Sequence, residues 1–323
     1  MNKIYFPKWL STGIVVMLAA TACTLPQETL REEATSIRPT IKLAKNPWLS
    51  AELNTVVAQL LLEEELGYPV ELIAIDDQAQ YLALENGDVH ASLEVWPLGY
   101  VAEIQQYVRD RGTVENGGCL GPIGKIGWYV PTYMLDEHPE LATWEGFKDP
   151  ENVALFRTPE SGDKGQFLAG DPSWYQFDAD IIRNLGLDLE VVTVGSEEAI
   201  LAALDAAYSG REPILFYFWT PLAAFAQYEL TQVELPEYSD ACYANMDSGG
   251  IDCDYPTEMT TKLFWSGLGD YAPDAYYFLK SFYYTTEDLI TMLALVDIQG
   301  KTVEQAARIW IEQNENVWRA WIP

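Results

Sequence analysis

The order of apolar and polar positions divides the chain into short alternating elements. Residues 40–44 read as a strand. Residues 50–66 read as a helix: Leu53, Val56, Val57, Leu60 and Leu61 recur at helical spacing, Ser50 precedes them as N-cap, and Gly67 stops the run. Residues 70–75 read as a strand, 78–85 as a short helix closed by Asn86-Gly87, 90–95 as a strand and 100–111 as a helix. Such alternation predicts a parallel sheet covered by helices on both faces. A second run begins near Trp128. Residues 153–156 and 189–194 read as strands, 174–185 and 196–209 as helices, and 213–218 as a strongly apolar strand ending at Trp219. Further helices are expected at 275–282, 286–296 and 303–318. Two α/β lobes explain this layout, one built from 39–127 and 222–323 and the other from 128–221. Ligands bind at the carboxyl ends of strands in such sheets, and facing lobes close on a hinge.

The chain start follows a different pattern. Lys3 and Lys8 lead into the apolar stretch 9–20, and Ala20-Thr21-Ala22-Cys23 follows. This is the plan of an export signal over residues 1–22. The apolar stretch is shorter than the about 20 residues that a membrane span needs. A cysteine at that place resembles a bacterial lipobox, so Cys23 is expected to carry a lipid anchor, with free secretion as the alternative. The polar stretch 23–38 reads as a flexible tether. Export implies an oxidising compartment. Cys242 and Cys253 flank a Gly- and Asp-containing loop and are placed to pair, for about 2–4 kcal/mol. Three free thiols are the alternative, and in either case Cys119 is left over.

A formal net charge of −30 excludes nucleic acid as a partner, because phosphate binding needs a basic face. No spacing suits a metal, and no cofactor is expected. The unusual content is 11 Trp. Trp96 follows the strand 90–95 and precedes Pro97; Trp219 ends the strand 213–218 two residues before Pro221. Both stand at carboxyl ends of strands, where a proline fixes the turn. Trp174 lies in the turn Gly170-Asp171-Pro172-Ser173-Trp174, and Trp48 in Asn46-Pro47-Trp48 before a helix. Indole faces hold a quaternary ammonium by cation–π attraction, about 0.5–2 kcal/mol each. Glycine betaine is the expected ligand, with choline or proline betaine as alternatives, and its carboxylate would be received by the backbone amides of Tyr175 and Gln176 at the start of the helix. Glu94 shares the strand face of Trp96 and is read either as a satisfied structural carboxylate or as a partner for a net-cationic ligand such as choline. Trp310, Trp318 and Trp321 fall on or after a C-terminal amphipathic helix and read as lobe packing.

In order and spacing, several stretches resemble the glycine betaine/choline/proline betaine-binding proteins of ABC importers, the OpuAC-like substrate-binding family. They are Asn46-Pro47-Trp48 and Leu66-Gly67-Tyr68-Pro69; Glu85 to His90 leading to Glu94-Val95-Trp96-Pro97; Gly127-Trp128-Tyr129-Val130-Pro131; Asp171 to Trp174; Gly210-Arg211-Glu212-Pro213 leading to Trp219-Thr220-Pro221; and the tail from Ala306 to Trp321. The resemblance covers about 40–323. It implies a two-lobed periplasmic-binding-protein fold of type II, a monomer serving membrane permease and ATPase subunits, and Trp96, Trp174 and Trp219 as the box around a trimethylammonium group. It also implies Trp48 as a further wall, Trp128 or Tyr129 as a wall near the crossover between lobes, and contacts from Tyr175 and Gln176. A carbohydrate stacking on the same Trp residues is the alternative ligand, against which the shortage of Arg in these segments argues. An exported enzyme is less supported. His90 and His138 have no catalytic partner nearby in sequence, and no Gly-x-Ser-x-Gly, P-loop or His-Glu-x-x-His motif occurs.

Overall fold

The computed structural model describes Met1 and residues 38–174 and 176–323. Cys23 and Tyr175 lie outside the described residues. Among these, no helix is long and apolar enough to cross a membrane.

Nine strands form one mixed sheet: β1 (Ile41–Lys45), β2 (Val70–Ala74), β3 (Ala91–Val95), β4 (Val114–Pro131), β5 (Gly165–Ala169), β6 (Leu189–Thr193), β7 (Phe216–Thr220), β8 (Leu230–Gln232) and β9 (Thr257–Trp265). Their order is β2-β1-β3-β9-β4-β7-β5-β6, with β8 beside β4. The expected parallel pairing holds within each half, β2-β1-β3 and β7-β5-β6. It fails in the middle, where β9 runs antiparallel to β3 and β4, and β4 antiparallel to β7. The 18-residue β4 joins the halves: Val114 to Asn116 pair with β9, and Lys125 to Tyr129 pair with β7.

Among the described residues two large apolar cores flank this ribbon, beside a smaller third cluster that includes Ala44, Tyr81, Leu84, Val95, Tyr100 and Leu263. One gathers Leu43, Leu53, Leu61, Phe264, Phe278, Leu293, Trp310, Trp318 and Trp321. The other gathers Trp128, Phe147, Phe167, Leu204, Phe216 and Phe218. Leu222, Val233, Leu235, Ile251 and Tyr255, expected with the first lobe, pack in this second core. β9 pairs with β3.

Other expectations also change. Residues 153–156 belong to a helix, Pro150–Leu155, not a strand. Its start is decided by Asp149, whose side chain accepts from Glu151 N, and by Pro150 in the first turn. The helix expected from 174 begins at Asp178. Trp219 lies inside β7 rather than past its end. The helix Leu49–Glu64 starts without the expected Ser50 cap, because the Ser50 hydroxyl donates to Glu94 instead. That helix start is served from the other lobe: Glu197, at the head of the helix Glu197–Gly210, accepts from Leu49 N at 2.8 Å. Cys242 and Cys253 are joined by a disulfide, and Cys119 is an exposed free thiol.

Candidate functional site

A cavity of about 610 Å³, part of it open to solvent, lies where the two halves meet. Trp48, Trp96, Trp174 and Trp219 all line it, with Phe177, Tyr217, Tyr243 and Tyr255 beside them. Trp174 is the centre of the aromatic group. Its ring meets Trp219 edge-on at 5.2 Å and Trp48 edge-on at 6.4 Å, and lies 6.1 Å from Tyr217. Near-perpendicular rings present faces in different directions, which is the geometry of a box rather than a stack.

Glycines make room for two of these indoles. A Cβ on Gly124 of β4 would stand 2.2 Å from the Trp96 ring, and one on Gly170 2.2 Å from the Trp174 ring. Any side chain at either position would displace the indole.

Glu94 holds the other side of the box. It is 3% exposed at the end of β3. Its Oε1 accepts from Trp48 Nε1 at 2.8 Å, Ser50 Oγ at 2.8 Å and Trp96 Nε1 at 3.2 Å. Its Oε2 accepts from Asn54 Nδ2 at 2.6 Å. Burial pushes its carboxyl above the usual range, and these four donors pull it back. Four donors and an acceptor-only group suit the ionised carboxylate. Both indole N–H groups therefore point back at one buried anion, which fixes the planes of Trp48 and Trp96.

Two acids that the sequence did not single out line the cavity, Asp77 and Glu258. They are 8% and 7% exposed. Burial pushes Asp77 up to about 6 against the Tyr100 hydroxyl, with Asp76 and Asp171 adding to the rise. Burial pushes Glu258 up to about 7 against the bond that its Oε2 accepts from Leu98 N at 2.9 Å. Asp77 Oδ1 accepts from no donor within hydrogen-bond distance among the described residues. No Lys, Arg or His is among the described residues that line the cavity.

Trp128 and Tyr129 are not walls. Trp128 is fully buried, donates its indole N–H to Asp178 at 2.7 Å and packs on Phe167 at 4.7 Å. Tyr129 packs among Phe216, Phe218 and Phe225. Adjacent on β4, the two side chains point to opposite faces of the sheet, and the second core covers both. Gln176 is turned to its own loop, donating to Asp171 O at 2.8 Å, and is not among the lining residues. At this turn the amides of Ser173 and Trp174 go to Asp171 and that of Phe177 to the Tyr255 hydroxyl; Tyr175, whose amide was expected with that of Gln176 to receive a carboxylate, lies outside the described residues. His90 is structural. Its Nδ1 accepts from Lys42 N, its ring stacks on Trp265, and burial lowers it to about 4.

A family model described as the substrate-binding domain of the ABC-type glycine betaine transport system matches residues 39–313. The chain belongs to this family. Its members are extracytoplasmic substrate-binding proteins of ABC transporters rather than enzymes. The trimethylamine N-oxide-binding protein of Pelagibacter ubique is 30% identical over 265 residues, 79% of this chain and 82% of that protein. The glycine betaine/carnitine transport binding protein GbuC of Listeria monocytogenes is 27% identical over 126 residues, 39% of this chain and 37% of that one. Among solved structures, lactococcal OpuAC closed on glycine betaine superposes with a TM-score of 0.66 at 22% identity, covering 88% of this chain and all of that one. A choline-binding protein in complex with choline gives 0.70 at 18%, covering 88% and 92%. These likenesses fix the two-lobed fold.

Proposed function

We propose that this family member captures a solute with a trimethylammonium head by cation–π contacts and hands it to the permease and ATPase subunits of an ABC importer. The observation that carries the reading is the box of Trp48, Trp96, Trp174 and Trp219 around one cavity. A trimethylammonium group has no N–H to donate, so aromatic faces are its natural partners. At about 0.5–2 kcal/mol per ring, four rings give several kcal/mol. The negative charge of Glu94 behind Trp48 and Trp96 polarises their N–H bonds and makes the ring faces better cation acceptors. The relative's name adds trimethylamine N-oxide to glycine betaine and choline as ligands with this head. The placement of β4 and β9 supports lobes that meet at these two strands, with the chain returning to the first lobe near residue 257. The small residues before Cys23 support a tether through a lipidated Cys23.

A titration of intrinsic Trp fluorescence tests the reading. Trimethylamine N-oxide, choline or glycine betaine should give a saturable change, with maltose and glycine silent. Trp174→Ala, which removes the ring that touches both Trp48 and Trp219, should weaken binding at least tenfold. A response to maltose alone would transfer the site to carbohydrates.

A further inference from the structure

The box accounts for the cationic head and leaves the rest of the ligand to the remainder of the cavity. That remainder is acidic. Asp77 and Glu258 are its charged lining groups among the described residues, both more than nine-tenths buried, and Asp77 Oδ1 is without a hydrogen-bond partner. Tyr217 lies within reach of the charge of both. A ligand carboxylate placed here would meet two carboxyl groups in a medium of low dielectric, with no lining cation to offset them. The neighbouring amides of Ser173, Trp174 and Phe177 are already bonded within the protein.

We propose that Asp77 and Glu258 are specificity-determining residues that exclude carboxylate-bearing ligands, so that the site takes a trimethylammonium compound without a carboxylate. The inference rests on the trimethylammonium reading above and narrows it. A hydroxyl at the far end, as in choline, donates to an ionised Asp77 or Glu258. An N-oxide oxygen stands directly on the nitrogen and need not reach the acids at all. Glycine betaine would bring its carboxylate against these acids and binds only when they hold protons.

The groups around them set the pH range. Asp77 faces Asp76, Tyr81, Tyr100, Asp171 and Tyr217; Glu258 faces Leu98 N–H, Tyr217, Tyr238 and Tyr243. None of these is a base. Both acids therefore exchange protons between about pH 5 and 8, the interval around the values given above.

The test is calorimetric titration of the mature protein with choline, trimethylamine N-oxide and glycine betaine at pH 5.5 and pH 8. At pH 8, at least one of the first two should bind tenfold or more tightly than glycine betaine. Choline affinity should rise from pH 5.5 to 8 and glycine betaine affinity should fall. The isosteric double variant Asp77→Asn with Glu258→Gln should strengthen glycine betaine at pH 8 at least threefold and flatten both pH profiles. Glycine betaine binding as tightly as the others at pH 8, or an unchanged gap in a folded double variant, overturns the proposal while leaving the box intact. If none of the three ligands binds, the trimethylammonium reading itself is wrong.

Discussion

Glu94→Ala is expected to destabilise the protein by about 3–5 kcal/mol and to remove measurable ligand binding, because it strips one acceptor from a buried cluster of donors. The Trp48 and Trp96 indoles, the Ser50 hydroxyl and the Asn54 amide all donate to this carboxylate. Each donor left unpaired in a buried place costs about 1–3 kcal/mol, in part recovered by entering water. The loss is not confined to stability, since two walls of the box lose the contact that sets their planes. Glu94→Gln separates the two effects. Its amide keeps the volume and one acceptor but turns an NH₂ toward donors, so the fold should survive with binding still weakened. Differential scanning calorimetry and titration on both variants check this. Wild-type affinity in Glu94→Ala would show that the carboxylate does not hold the walls.

The thermal midpoint is expected to fall as the pH rises from 5 to 8. Burial holds Glu197 up at about 8, Glu258 at about 7, and Asp77 and Asp178 at about 6. Glu197 also feels the negative charges of Asp297, Glu198 and Glu94. An acid whose folded pKa exceeds its unfolded value contributes stability that is complete below the unfolded value and is lost as the pH climbs through the folded one. Each unit of displacement is about 1.4 kcal/mol at most. His90, held down at about 4, acts in the opposite sense below pH 6.5, and Lys262, lowered to about 8 by burial, does so only above pH 8. The acids outweigh them within the window. The net loss is a few kcal/mol, or roughly 5–10 °C in midpoint. Glu197→Gln should flatten the slope. A midpoint that is constant or climbs from pH 5 to 8 would contradict the burial of these carboxyls.

Much of each lobe was legible because its strands are short apolar runs between turn residues. The two strands that join the lobes were not. β4 contains Gly117-Gly118, Gly121-Pro122 and Gly124, which read as loop punctuation. Gly117 and Gly124 are there because neighbours come close, Phe264 and the Trp96 ring, while Gly118 takes a positive φ of 90°. In β9, Thr, Glu and Lys dilute the apolar alternation, yet Glu258, Thr260 and Lys262 are all buried. The short run 153–156 suits a strand or a buried helix equally, and the Asp149-Pro150 start decides for helix.

The box was legible for a related reason. Each of Trp48, Trp96, Trp174 and Trp219 stands beside or near a proline at an element end, a place that loop geometry keeps near the ligand side of α/β sheets. Trp128 and Tyr129 carried no mark that separates a wall from a core residue. Asp77 and Glu258 had no motif at all. Glu258 reaches the indoles through the pairing of β9 with β3 and β4, and Asp77 through the loop that follows β2.

A crystal structure of the protein grown with trimethylamine N-oxide or choline bears most directly on the box. Density for a trimethylammonium group is expected between the faces of Trp48, Trp96, Trp174 and Trp219, with the Trp48 and Trp96 indole N–H groups still on Glu94. Density for the ligand elsewhere on a protein that binds it in solution, with the four indoles packed against one another and the cavity unfilled, would contradict that placement.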